Sequence, residues 1–118
     1  MMSTKTFKEL ALALPGAVEL PHFEKTSFRV NKKIFATLDV QNSIACLKLS
    51  PVDQNVFSDI SRTAIYPVPN KWGLRGWTYI ELDKVRKNLI MDALTAAYYN
   101  SANKRINKNL NNLGKWEN

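Results

Sequence analysis

The sequence predicts one α+β domain, an antiparallel sheet backed by helices in the order α-β-β-β-α-β-β-α. Three observations carry this. Residues 25 to 49 hold short runs of alternating or continuous apolar residues separated by polar turns, residues 83 to 98 carry one broad helical stripe, and no Pro/Gly/Ser-rich linker or internal repeat divides the chain. At 118 residues the chain can bury a core without disulfides or metal. The domain is expected over residues 1–102, followed by a basic, asparagine-rich tail over residues 103–118.

The elements follow in order. Phe7, Leu10, Ala11 and Leu14 recur at one-face helical spacing before Pro15 and Gly16, and Thr6 with Glu9 has the spacing of a capping box, so a helix spans about residues 4 to 14. Glu19 to His22 reads as a short extended lead-in. Thr26, Phe28 and Val30 then alternate with Lys25, Ser27 and Arg29, giving a strand with one apolar and one basic face. A turn around Asn31, Lys32 and Lys33 leads into Ile34–Leu38, and Asp39–Ser43 leads into Ile44–Leu49, a three-stranded meander. Ser50 and Pro51 are an N-cap and first helical residue, opening a helix over residues 51 to 60 whose Val52, Val56, Phe57 and Ile60 can face the core. Pro67 and Pro69 lack the amide hydrogen a central strand needs, which makes Ala64–Val68 an edge strand or a loop arm. Trp77–Leu82 is the last strand, with Trp77 and Tyr79 on one face. From Asp83 a helix begins, with Val85, Leu89, Ile90, Ala93, Leu94, Ala97 and Tyr98 as its apolar stripe.

Composition narrows the chemistry. The 17 Lys and Arg against 10 Asp and Glu give a net charge of +7, which favours a polyanionic partner. The tail supplies Lys104, Arg105, Lys108 and Lys115 against Glu117. One Cys and one His cannot complete a zinc site or an internal disulfide, and Gly16, Gly73, Gly76 and Gly114 match no phosphate-binding loop. No metal and no cofactor is therefore expected. Cys46 lies in an apolar strand run and reads as a buried, inert thiol; His22 reads as a strand end. The expectation is a non-enzymatic protein; an enzyme would need a pocket converging on His22, Glu24 or Glu81. The Met-Met-Ser-Thr-Lys start is unlike a signal peptide and no run is long enough to span a bilayer, so a cytoplasmic monomer without membrane contact is expected.

The informative segment is Tyr66 to Trp77, where Lys71, Trp72 and Arg75 sit among Gly73 and Gly76 and can project from the tip of a long hairpin. Its cations can neutralise phosphates and its indole can stack on a base. A second basic group, Lys25, Arg29, Lys32 and Lys33, lies on the first hairpin.

Leu14-Pro15-Gly16-Ala17, Phe28-Arg29-Val30-Asn31-Lys32-Lys33-Ile34-Phe35-Ala36, Leu47-Lys48-Leu49, and Asn70-Lys71 with Trp77-Thr78 together resemble the MmcQ/YjbR family over about residues 5 to 102. The resemblance implies a small sheet-and-helix domain with secretion-chaperone-like or CyaY-like (frataxin-like) shape. It also implies DNA binding through a double wing of two hairpins. The sequence departs from the family's Asn-Lys-x-His-Trp wording: it has no His there, and Trp72 to Gly76 lengthens the loop. The expected partner is thus nucleic acid, double-stranded DNA foremost, held by Arg29, Lys32 and Lys33 on one wing and Lys71, Trp72 and Arg75 on the other, with Lys104 and Arg105 assisting. The alternative is a protein-interaction or chaperone-like module using exposed aromatics, Trp72 and Tyr99.

Overall fold

The computed structural model describes residues 2–102. Helix α1 (Thr4–Leu12) leads into four strands, β1 (Val18–His22), β2 (Lys25–Val30), β3 (Lys33–Asp39) and β4 (Ile44–Lys48). Helix α2 (Pro51–Ile60), β5 (Ile65–Pro67), the short α3 (Lys71–Leu74), β6 (Trp77–Glu81), a 3-10 turn (Leu82–Lys84) and α4 (Lys87–Ala102) complete the chain. The strands form one antiparallel sheet in the order β1-β2-β3-β4-β6-β5. The α+β class is as the sequence predicts.

The alternation of each strand decides which residues reach the core. Phe28 and Val30 of β2, Leu38 of β3, Ala45 and Leu47 of β4 and Ile80 of β6 are buried beneath Phe7 and Ala11 of α1 and Ile90, Ala93, Leu94 and Ala97 of α4. A register shift between Phe28 and Arg29 lets the consecutive Phe35 and Ala36 both face this core. The opposite face carries Lys25, Ser27 and Arg29 of β2, Ile34 and Thr37 of β3, Cys46 of β4 and Trp77 and Tyr79 of β6, and it has no helix layer.

Several expectations need correction. The lead-in is a full strand: β1 pairs with β2 along its whole length through a two-residue turn, so the sheet has six strands, not five. The cap of α1 is Ser3, whose hydroxyl accepts from the Thr6 amide, and the helix stops at Leu12. Helix α2 turns Val52, Val56 and Ile60 outward, and only Phe57 of its apolar residues packs on the core. Its buried residue is instead the polar Gln54, whose amide donates to the carbonyls of Gly73 and Trp77 and to Thr78 Oγ1 at 2.9, 3.2 and 3.1 Å. Helix α4 begins at Lys87, because Leu82–Lys84 takes a 3-10 turn and Val85 is extended.

Candidate functional site

The β2–β3 turn places Asn31 and Lys32 at φ of 51° and 69°, the paired left-handed conformation of a two-residue type I′ hairpin. Lys32 and Lys33 are exposed there. Arg29 lies two residues before Asn31 along β2, on the open face. Its Nε donates to Ser27 Oγ at 3.0 Å, which is itself anchored on the Leu20 carbonyl at 2.8 Å. The guanidinium is thereby aimed from a fixed stem.

The β5–β6 connection is built differently. The two strands do pair antiparallel, but the expected protruding tip is a helical turn laid against the domain. Asn70 Oδ1 caps it, accepting from the Trp72 amide at 2.8 Å. Gly73 is buried, and a Cβ there would overlap the Val68 carbonyl; a Cβ at Gly76, whose φ is +105°, would overlap the Leu49 carbonyl. The two glycines therefore serve close backbone approach, where the sequence reading assigned them to a projecting turn. Lys71, Arg75 and Leu74 remain exposed, Trp72 is half-exposed, and the Arg75 guanidinium lies 5.2 Å from the Trp72 ring centre.

Strand direction brings the two regions to one end of the sheet. Strand β3 starts at Lys33, β4 ends at Lys48, and Lys48 is paired with Trp77, the first residue of β6. Roughly three strand spacings, about 14 Å at about 4.8 Å each, separate the β2–β3 turn from α3. Among the described residues the ion pairs are Lys8–Glu19, Arg62–Asp59 and Lys84–Glu81, so Arg29, Lys32, Lys33, Lys71 and Arg75 form none. Helix α4 also ends at this end, its Ala102 carbonyl 3.4 Å from Asn31 Nδ2. Lys104 and Arg105 follow but lie outside the described residues.

From α3 across to the β1–β2 turn at the other end of β2, the open face is hollowed into a groove of about 490 Å³, lined by His22, Lys25, Cys46, Trp72, Trp77 and Tyr79 among others. The lining contains no carboxylate among the described residues. Cys46 belongs here, not in the core: Ala45 and Leu47 on either side of it are buried beneath the helices, which turns its thiol to the open face. Burial pushes that thiol up to about 11, against a smaller opposing pull from the Lys25 charge, so it stays protonated at neutral pH. Tyr66 donates its hydroxyl to Glu81 Oε2, and Lys84 Nζ lies 2.9 Å from Glu81 Oε1. Glu81 is thus occupied, and neither it nor Glu24 lines the groove with His22. No group of three or more His, Cys, Asp or Glu that could hold a metal occurs among the described residues, and no helix there is long and apolar enough to cross a membrane.

Sequence reasoning missed the groove because its wall comes from several strands. The signal present was the shared parity of Lys25, Ser27 and Arg29, and of Trp77 and Tyr79, each on the face left open. It became a site only once β1 proved to be a strand, which brings His22 alongside Lys25.

The chain resembles two solved structures. One is a Deinococcus radiodurans protein with a DUF419 domain, with a TM-score of 0.75 at 22% identity, covering 89% of this chain and 81% of that one. The other is a Pseudomonas syringae protein, with a TM-score of 0.63 at 15% identity, covering 85% of this chain and 99% of that one. Among curated proteins none matches. The sequence model of the YjbR family matches residues 12–100, spanning the sheet, the groove and most of α4, and the chain belongs to the YjbR family.

Proposed function

We propose that this protein binds nucleic acid through its backbone phosphates, without catalysing a reaction on it, using the end of the sheet where the β2–β3 turn and α3 lie together. The observation that carries this reading is the placement of Arg29, Lys32, Lys33, Lys71 and Arg75 at or near one end of the domain, none of them in an ion pair with a carboxylate among the described residues. A cation already matched to a carboxylate has little to gain from a phosphate; these five have no carboxylate partner among the described residues, and Arg29 commits only its Nε, to Ser27 Oγ. The second element grips as a fixed ledge and not as a ribbon inserted in a groove, so recognition here is of a charged strand more than of a duplex shape.

A second reading has its own observation. Val52, Val56 and Ile60 form an exposed apolar row on α2 at four-residue spacing, and Leu74 is 83% exposed, a surface that suits another protein. The discriminating experiment is a titration of labelled nucleic acid by fluorescence anisotropy at about 50 mM salt, where phosphate contacts are strong. Binding that weakens at least about tenfold in the Lys71→Ala/Arg75→Ala variant, and again when Lys32→Ala/Lys33→Ala is added, is the expected result. No binding, or binding indifferent to all four charges, removes the reading.

A further inference from the structure

We propose that the ligand of this surface is single-stranded nucleic acid, with an unpaired base seated in the groove of the open sheet face. The inference rests on the phosphate-binding reading above and adds what the cations cannot specify. Three observations lead to it.

The groove is walled by flat rings. Trp72, Trp77 and Tyr79 line it from the α3 side and His22 from the β1 side, and its volume of about 490 Å³ lies within the range of small-molecule sites. A sheet face bearing aromatic side chains can stack only on a base whose π-face is exposed, which a paired base in a duplex does not offer. A duplex could reach the cations but not the rings.

Charge is arranged at both ends of the groove. Lys25 lines it at the β1–β2 side, while Lys71 and Arg75 flank Trp72 in sequence at the other, with Arg75 against the indole. The lining is free of carboxylates among the described residues, and the nearby Glu81 is held by Tyr66 and Lys84. A strand crossing the face would leave a phosphate near each end, with the base between them.

The third observation is strain at the mouth. Phe23, in the turn joining β1 to β2, has a φ of +58° and is 94% exposed, with its ring 4.9 Å from that of His22 in an edge-on contact. A bulky aromatic in the left-handed region is costly where glycine would be relaxed, and the edge-on His22 contact leaves the ring almost wholly in solvent. The position assigns Phe23 as a further stacking ring at the groove's mouth, beside His22.

The test compares three probes on the full chain by anisotropy at about 50 mM salt: oligothymidylate and oligouridylate of about ten nucleotides, and a duplex of equal length. The expected result is single strands bound at least about tenfold more tightly than duplex, with Trp72→Ala losing about tenfold or more of that binding. Phe23→Gly should weaken single-strand binding several-fold while the melting temperature holds or rises, a split that a merely structural Phe23 would not give. Equal affinity for the two oligonucleotides supports stacking on the pyrimidine ring itself; a preference for one supports a site that also senses the 2′-hydroxyl or the thymine 5-methyl group, the features that separate the probes. Duplex bound as tightly as single strands, with Trp72→Ala harmless, overturns this inference and leaves the phosphate reading standing. No binding of any probe overturns both.

Discussion

The two connections that bring positive charge to one end of the sheet use glycine and cation in opposite ways. The β2–β3 turn is short and exposed, and it places a lysine in the left-handed region where glycine would be easier. The β5–β6 connection spends its glycines on contact, pressing α3 against the carbonyls of Val68 and Leu49 with Gln54 holding it from beneath. A turn that tolerates strain to present a charge and a ledge that is locked to present a ring are two solutions to placing side chains on one surface. Substitutions should therefore separate stability from binding at the turn and join them at the ledge.

The largest effect is expected at the ledge. Gly76→Ala combines a left-handed backbone with overlap on the Leu49 carbonyl, and should cost about 3 kcal/mol or more in urea unfolding. Gln54→Leu keeps the volume but removes its buried hydrogen bonds to Gly73, Trp77 and Thr78, leaving the two carbonyls only their backbone donors Gly76 and Val68, for a loss of about 1–2 kcal/mol by the same measurement. Both should also weaken binding, because they release Trp72 and Arg75. If either variant is fully stable, α3 is not clamped and the contrast between the two regions fails.

The Tyr66–Glu81 pair, at the far edge of the open face, responds to pH at both limits. The Tyr66 hydroxyl first, and Lys84 second, hold the Glu81 carboxyl below its ordinary 4.5. The ionised form is thus favoured by folding, and its contribution is complete above that value and disappears as pH falls through the lower, folded-state value. The hydrogen bond to Glu81, with burial adding to it, raises Tyr66 from 10 to about 12. Folding favours the protonated phenol, so this stability is present below pH 10 and is lost between pH 10 and about 12. Tyr66→Phe should flatten the alkaline limb of a stability–pH curve and reduce the acid one; unchanged limbs would show that the pair does not form in solution.

The smallest effect is expected at the turn. Lys32→Gly relaxes a φ of 69° and should leave stability within about 1 kcal/mol of the parent, on the favourable side, while removing one phosphate contact. Loss of stability there would mean that the lysine is held by contacts and not merely displayed.

What the sequence disclosed followed local periodicity. The alternation of β2, the Ser50-Pro51 start of α2, the edge position of β5 and the stripe of α4 were all legible because each depends on residues close in the chain. The strand character of β1 was not, since Val18, Leu20 and Pro21 carry no clear alternation and its order comes from pairing with β2. The outward row of α2 was hidden for a related reason: a polar Gln54 occupies the buried position, and only the fold supplies the three acceptors that make this tolerable. The cationic residues were identifiable singly. Their convergence depended on strand order, and the groove on a sheet face left without helices, neither of which local spacing encodes.

The most direct test of that convergence is the salt dependence of binding to oligothymidylate, plotted as log K against log salt concentration. Each phosphate neutralised on a single strand contributes about −0.7 to the slope. If the turn and the ledge grip one strand together, Lys32→Ala/Lys33→Ala and Lys71→Ala/Arg75→Ala should each make the slope shallower, and the combined variant should be shallower by the sum. A slope set wholly by one pair, and untouched by loss of the other, would contradict a shared surface.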